Sequence, residues 1–406
     1  MLSPSSIPIP VPAPAQVPSE SPSPPGTPPG PDNNHITTSP KTERSSVPES
    51  TFKSYTPSQA STYAERRKGY SSNLYNYILS YHKATGGGFD VLLDVGCGPG
   101  IVTRDLAGEF ETVFGVDSGR EMINTAERLG GVCKSGQDIG YFVGEAEGVH
   151  EMEELRELSG HNTGGVDLVT AGTAAHWFDM PRFWESMAKI VKPGGTLALW
   201  SLPNIHCHPS TPNADQIQAI LTSFRDDILK PYMQAPSLLN ANMYRGIPLP
   251  WDSPTTAPFF DKDYFIHQIW DEPSSLRPAT GSQDQESKAS TLSTSRTEED
   301  QKLSPTLGKM KLKEKKFFTG SKRFTLASFR DSAVTMNSVT RWREAHPDLA
   351  ETEEDVIYQL IERLRRALGR GKEEDLADIW IEAGMSTVLV LVKRSEVPRL
   401  TSGPLD

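Results

Sequence analysis

The sequence predicts an α/β protein built on a doubly wound, mostly parallel sheet of seven strands with helices on both faces. Three observations support this fold class. An apolar run that begins at Val91 leads directly into a glycine-rich turn. Apolar segments of strand length then alternate with helix-periodic segments up to residue 200, as in sheets whose parallel strands are joined by crossover helices. The last apolar segment, 386–392, is β-branched and aliphatic almost throughout, which is typical of a strand buried on both faces.

The elements follow in order along the chain. Apolar runs predict strands beginning at Val91 and at 112–116, 141–143, 166–171, 196–200, 312–318 and 386–392. Helical spacing of apolar residues predicts helices at 57–83, 101–109, 120–129, 149–159, 181–191, 215–230, 325–343 and 356–368. A capping box of Thr352 and Asp355 begins the last of these helices, and the C-terminal helices are expected to cap the sheet. Residues 231–262 show no clear period.

Composition divides the chain into one domain and two low-complexity segments. Fourteen of the 33 prolines precede residue 49, so residues 1–55 are predicted to be a disordered Pro-rich tail. The alternative is a docking peptide for a proline-reading partner. Residues 272–306, rich in Ser, Thr, Gln and Glu, are predicted to be a disordered insertion. The remainder, 56–406, is expected to be a single domain with its core motifs at 91–200.

Charge and cysteine content narrow the classes of function. The net charge of −11 argues against binding of nucleic acid phosphates. The basic cluster at 309–323 is interpreted as the solvated face of an edge strand. No apolar run is long enough to span a membrane, and the N-terminus lacks the pattern of a signal peptide. Three isolated cysteines are typical of reduced thiols, so a cytoplasmic location is expected.

The glycine-rich turn is the most specific motif in the chain. Gly96, Gly98 and Gly100 alternate with other residues between a buried strand and a helix. Without Cβ atoms, glycines let the main chain approach a ligand closely. The dinucleotide fingerprint is Gly-x-Gly-x-x-Gly, with its third glycine one position later. The spacing therefore favours a different adenosine cofactor, although a nicotinamide oxidoreductase stays as the least favoured alternative.

Carboxylates follow two of the predicted strands. Asp117, at the end of the second strand, could accept hydrogen bonds from both ribose hydroxyls of an adenosine. The alternative is that Asp117 or Ser118 caps the next helix. Glu145, after the third strand, could accept from an adenine amino group, with the next main-chain N–H, that of Ala146, directed at a ring nitrogen. Asp94, below the glycine turn, could receive an ammonium group directly or through water.

These motifs, with Asp-Leu-Val-Thr-Ala at 167–171 and Lys-Pro-Gly-Gly at 192–195, resemble the motif set of class I methyltransferases of type 11, which depend on S-adenosylmethionine (SAM). Ala-His-Trp-Phe-Asp at 175–179 and the spacing of Tyr63, Arg67 and Tyr70 are similar to those of fungal trans-aconitate methyltransferases. Two prolines that relatives often have near Arg67 are absent here. The resemblance implies a Rossmann-like fold and a SAM site, with Tyr63, Arg67 and Tyr70 closing over the methionine end. The complete predicted cofactor set is Tyr63, Arg67, Tyr70, Asp94, Gly96, Gly98, Gly100, Asp117, Ser118, Met122, Glu145, Ala146 and Ala171.

The methyl acceptor is expected to be a small molecule, with a carboxylate oxygen favoured as in an aconitate-like acid. A carboxylate is already ionised at neutral pH and needs only a cation, for which Arg225, Arg245, Arg323 and Arg341 are candidates. A lipid or secondary-metabolite hydroxyl would need a base, and His176 is the predicted one, beside Trp177 as an aromatic wall. No metal is predicted, although His206-Cys207-His208 has the composition of a metal cluster. A regulator that binds SAM without catalysis is the alternative from another class.

Overall fold

The described part of the computed structural model comprises residues 56–66, 69–155, 165–272 and 316–396. Its strands are β1 (Val91–Val95), β2 (Thr112–Asp117), β3 (Gly140–Val143), β4 (Val166–Gly172), β5 (Val191–Cys207), β6 (Phe260–Trp270), β7 (Ser321–Thr325) and β8 (Trp380–Arg394). Its α-helices are α1 (Pro57–Arg66), α2 (Ser72–Ala84), α3 (Ile101–Ala107), α4 (Arg120–Leu129), α5 (Met180–Ile190), α6 (Ala214–Ser223), α7 (Ala235–Ala241), α8 (Leu326–Ala333), α9 (Asn337–Ala345) and α10 (Val356–Ala367).

The strands form one sheet in the order β3-β2-β1-β4-β5-β8-β6, and β7 also pairs with β8. The pairs within β1–β5 are parallel, whereas β5, β6 and β7 all pair with β8 in antiparallel fashion. Only β8 therefore runs against the common direction. The order reverses between β1 and β4, and such a reversal opens a crevice at the carboxyl ends of the strands. The predicted α/β class is confirmed, with eight strands where seven were predicted.

Alternation along the strands gives the sheet a core on each face. Leu92 packs with α2 and α3, whereas its neighbour Leu93 packs with α5 on the opposite face. Because both faces are covered, the apolar runs are continuous rather than alternating. A third apolar cluster joins the far ends of β5, β7 and β8 to α6 and α8–α10, so the predicted C-terminal helices do cover one end of the sheet.

Several predicted elements differ from the observed ones. The helix predicted over 57–83 is two helices, and Ser71 begins the second because its hydroxyl accepts from the Asn73 N–H. Residues 325–343 form α8 and α9, separated where the Thr335 hydroxyl bonds the Ser332 carbonyl. The turn predicted at 192–195 lies within the longer β5, at a shift of its register against β4.

The predicted capping box is also wrong. Asp355 itself caps α10 by accepting from the Ile357 N–H, while the Thr352 hydroxyl donates to Leu349. The segment 149–159 holds a short 3₁₀ turn at Val149–Glu151. Of the strand predicted at 312–318, residues 312–315 lie outside the described ranges and 316–318 lie in a turn, so the prediction is wrong there and β7 begins later, at Ser321.

Two further predictions concern residues outside these ranges. The tail at 1–55 and nearly all of the predicted insertion at 272–306 belong to segments that are not described, so their assignments stay predictions. In the ranges that are described, no helix is both long and apolar enough to cross a membrane. The cytoplasmic location and a partner for the tail stay predictions as well.

Candidate active site

The glycine turn lies at the carboxyl end of β1 and is tied to β2, because Gly96 and Cys97 donate N–H bonds of 2.8 and 3.1 Å to the Val116 carbonyl. Gly96 and Gly98 have φ angles of 67° and 54°, in the left-handed region that favours glycine. A Cβ at Gly96 would lie 2.5 Å from the Cβ of Ala174. A Cβ at Gly98 would meet no atom within 4 Å, so the main chain there borders open space that a ligand can enter.

Asp117 joins the end of β2 to this turn. Its Oδ2 accepts from the Gly98 N–H at 2.8 Å, and its Oδ1 accepts from the Gly119 N–H at 2.7 Å. Each carboxylate oxygen can accept a further hydrogen bond. Burial raises the pKa of Asp117, and the nearby charge of Glu145 raises it further. Gly119, not Asp117 or Ser118, occupies the N-cap position of α4, so the capping alternative is not observed.

Asp94 lies beneath the turn and is 1% exposed. Its two oxygens accept from the hydroxyls of Thr103 at 2.7 Å and Thr170 at 2.8 Å. Burial raises its pKa to about 7, against the opposing effect of these bonds. In this arrangement Asp94 fastens α3 and β4 to β1, and its expected contact with an ammonium group stays a prediction.

The structure brings several other predicted residues to the same edge. Glu145 is exposed just beyond β3, and its charge affects Asp117. Ala146 and Ala171 are buried in one apolar cluster, and Met122 of α4 is 2% exposed. Neither Arg67 nor the Tyr63 side chain lies in the described part of the chain, so their roles stay predictions.

Tyr70 lies against the end of β4 and the middle of β5. Its hydroxyl is 3.0 Å from the Oγ1 of Thr173, and its ring meets that of Trp200 edge-on at 5.3 Å. Thr173, which follows β4, has a φ of 58° that a branched residue adopts only under strain. Strained main chain of this kind clusters at functional sites.

His176 lies in the 3₁₀ turn after β4 and is 7% exposed. Its Nδ1 is 3.1 Å from the hydroxyl of Tyr244, and its ring centroid is 5.1 Å from that of half-buried Trp177. Burial strongly raises the pKa of Tyr244, which keeps this hydroxyl neutral. Sequence reasoning missed Tyr244 because it lies in the segment without a clear period.

Two side chains hold the loop that carries Tyr244. The Nε2–H of His267 donates to the Met243 carbonyl at 3.0 Å, and the Nδ2–H of Asn204 donates to the Ala241 carbonyl at 3.3 Å. Burial lowers the pKa of His267, which favours its neutral, singly protonated ring. The loop is therefore fastened to β5 and β6 next to the His176 turn.

Three candidate arginines, Arg225, Arg245 and Arg323, each pair with a carboxylate. Arg225 pairs with Asp226, Arg245 with Glu272, and the largely exposed Arg323 with Glu382. Arg245 keeps one unpaired donor, since its buried Nη1 has no hydrogen-bond partner. None of the three is thus an isolated cation, and Arg245 also has a buried donor without a partner among the described residues.

The fold and these contacts define the class of site. An open α/β sheet with this strand order, a glycine turn after β1 and a carboxylate after β2 form a nucleoside-cofactor site. The turn at 96–101 contains no lysine with which to hold a phosphate. The open glycine turn and the carboxylate of Asp117, which can accept from ribose hydroxyls, thus fit the adenosine of SAM.

The comparisons with known proteins agree with a methyltransferase site. Residues 93–199 match the family model of a methyltransferase domain. The chain is 28% identical over 142 residues to a probable S-adenosylmethionine-dependent methyltransferase of Saccharomyces cerevisiae, which covers 35% of this chain and 45% of that protein. It is 33% identical over 150 residues to a methyltransferase of Aspergillus candidus, with 37% and 44% covered. It is 35% identical over 121 residues to a ubiquinone biosynthesis O-methyltransferase of Vibrio parahaemolyticus, with 30% and 46% covered.

The chain spans somewhat less than half the length of these curated relatives. The match at residues 93–199 identifies a methyltransferase domain within the chain, and the relative named as S-adenosylmethionine-dependent supports SAM as the cofactor of that domain. The predicted enzyme class and cofactor are confirmed.

Proposed function

We propose that this protein transfers the methyl group of SAM to an oxygen atom of a small-molecule acceptor. The observation that carries the proposal is the hydrogen bond from the Gly98 N–H to Asp117 beside open space, at the same strand ends as His176. At this edge of the sheet, the glycine turn and Asp117 suit an adenosine, and the turn that carries His176 suits an acceptor. The relative named as an O-methyltransferase supports oxygen as the acceptor atom.

The chain's own residues would act mainly by binding and orientation. Asp117 would accept from the ribose hydroxyls, Glu145 would accept from the adenine amino group, and Tyr70 would close over the methionine end. When bound, SAM supplies an electrophilic methyl group on a sulfonium. Alignment of the acceptor oxygen with that group lowers the barrier by up to about 7–11 kcal/mol. The aromatic rings of Tyr70 and Trp177 would help to exclude water from the reacting atoms.

A hydroxyl acceptor is the candidate that the geometry supports best. Such an acceptor must lose a proton, and the only histidine in the turn after β4 is His176. Its buried contact with Tyr244 holds the ring in a defined orientation. This favours the hydroxyl alternative over the carboxylate that the sequence predicts.

A carboxylate acceptor, such as an aconitate-like acid, is the second candidate. It is supported by the unpaired Nη1 of Arg245, which directly follows Tyr244 in the chain. An arginine can bind a carboxylate through two parallel hydrogen bonds. Against it, the same guanidinium already pairs with Glu272 through Nη2.

The experiment is methyl transfer from isotope-labelled SAM by the full chain to two panels, one of small carboxylic acids and one of small alcohols and phenols. Ether products support the first candidate, and methyl esters support the second. Binding of SAM with no transfer to either panel would favour the non-catalytic regulator and contradict the proposal. His176→Gln should reduce ether formation by about 10²–10⁴-fold, the usual contribution of a general base. The matched control is His208→Gln, a half-buried histidine that directly follows the last residue of β5.

A further inference from the structure

A cavity of about 240 Å³ lies at the end of the sheet opposite the glycine turn. Its wall includes Thr85 at the end of α2, Gly194 of β5 and Lys393 of β8. Because β5 runs parallel to β1 through β4, Gly194 near the start of β5 lies at the opposite edge from the turn that follows β1. The cavity is therefore separate from the proposed cofactor and acceptor site, and nothing in the proposed function uses it.

Lys393 brings a buried positive charge to this cavity. The residue is 4% exposed, and its Nζ donates to the Oγ1 of Thr196 at 3.2 Å. Burial lowers the pKa of Lys393 to about 8, so the amine is still mostly protonated at neutral pH. Within the described ranges the Thr196 hydroxyl is the one hydrogen-bond partner of this ammonium, which forms no ion pair there. Since an ammonium has three N–H donors, two of them remain for a ligand.

The hydroxyl that Lys393 contacts belongs to a neutral network. The Oγ1 of Thr196 is 2.8 Å from the Nδ1 of buried His82, and the Nε2 of His82 is 2.6 Å from the Gly88 carbonyl. Burial lowers the pKa of His82 to about 4, which keeps the imidazole neutral at neutral pH. Buried charges in proteins are normally paired with an opposite charge. The immediate neighbours of Lys393 do not provide one.

Ser395 contributes a further donor on the same side of the sheet. It directly follows β8, and its N–H still pairs with the Phe259 carbonyl at 2.9 Å, so the extended pattern continues. Side chains two positions apart in a strand share a face, which places Ser395 beside Lys393. Ser395 is 4% exposed, and in the described part of the chain its Oγ has no hydrogen-bond partner. Buried hydroxyls are normally satisfied, so this one indicates a group bound in the cavity that it lines.

Two carboxylates limit the charge that the cavity can accept. Asp261 and the exposed Glu396 also line it, and the charge of Glu396 acts on Lys393. A doubly charged anion such as phosphate would be repelled by both, whereas a single negative charge is matched by Lys393. We infer that the cavity binds a small monocarboxylate, whose oxygens accept from the Lys393 ammonium and the Ser395 hydroxyl. Such a ligand supplies both the opposite charge that Lys393 lacks and the partner that Ser395 lacks.

The test uses the full chain saturated with S-adenosylhomocysteine, so that the cofactor site is filled. Lysines labelled with ¹³C are observed by NMR during titration with sodium propionate at constant ionic strength, and the Lys393 signal is assigned by its loss in Lys393→Met. We expect a saturable shift of this signal with propionate and a much smaller one with inorganic phosphate. Ser395→Ala should weaken propionate binding by about 3–10-fold, the contribution of one neutral hydrogen bond. No shift in the wild type, or a larger response to phosphate, would overturn the inference.

Thermal unfolding separates this cavity from any other site for carboxylates. Propionate should raise the Tm of the wild type and of Lys372→Met, which removes an exposed lysine, but not the Tm of Lys393→Met. Lys393→Met keeps an apolar stem without the charge, and an unchanged Kd for S-adenosylhomocysteine shows that the variant is folded. Equal stabilisation of all three proteins would place the ligand elsewhere and contradict the inference.

Discussion

The contact between Asp117 and the glycine turn makes a quantitative prediction about cofactor affinity. Asp117→Ala removes both oxygens that would accept from the ribose hydroxyls. A hydrogen bond to a charged group contributes about 1.5–3 kcal/mol, so loss of two such bonds should cost about 3–6 kcal/mol. Since 1.4 kcal/mol corresponds to a tenfold change in Kd, the affinity should fall by roughly 10²–10⁴-fold. The bonds to Gly98 and Gly119 are lost as well, which adds disorder to the turn.

Isothermal titration calorimetry with S-adenosylhomocysteine measures this loss without turnover. Asp117→Asn should fall between the wild type and Asp117→Ala, because its amide keeps one acceptor but directs N–H groups at a main-chain donor. Asp138→Asn, an exposed charge just before β3, is the control and should bind as the wild type does. Because burial raises the pKa of Asp117, affinity should decline as pH falls through that raised value, at a higher pH than for an ordinary carboxylate. Wild-type affinity in Asp117→Ala would refute the assignment of the ribose to this strand end.

Two buried carboxylates make opposite predictions for the pH dependence of stability. For Asp94, a folded pKa of about 7 exceeds the unfolded value of about 3.9, so its contribution to stability decreases as pH rises from about 4 to 7, by at most about 4 kcal/mol. Asp94→Asn should lack this decrease in urea unfolding, and parallel pH curves for the two proteins would contradict it. For Asp355, burial alone would raise the pKa, but bonds from Arg343 and two main-chain N–H groups hold it below the usual value. Asp355→Ala should cost about 3–5 kcal/mol at pH 7 and progressively less as pH falls below the unfolded pKa of about 3.9, whereas exposed Asp348→Ala should cost little.

The parallel half of the fold was predictable because its strands are buried on both faces and each therefore has a continuous apolar run. The antiparallel edge of the sheet was not predictable in this way. Strand β6 contains Asp261, Lys262 and Asp263 and is only half-buried along most of its length, so neither an apolar run nor strict alternation marks it. The second half of β5 continues past Trp200 through polar residues because pairing with β8, not burial in the parallel core, keeps it extended. Pairing of that kind depends on a segment about 180 residues away and leaves no local pattern.

The same physical difference divides the candidate site. The predicted cofactor residues from Asp94 to Glu145 lie at or just beyond the ends of consecutive strands that are neighbours in the sheet, so their spacing in the sequence reflects their positions in space. The proposed acceptor side combines His176 and Tyr244, which come from two distant segments, and no short motif can encode their contact. Strain at Tyr244 is likewise a property of the folded loop, because the sequence there contains no glycine to announce a positive φ. Binding of the methyl donor and transfer to the acceptor should therefore be separable by mutation, with the first sensitive to Asp117 and the second to His176.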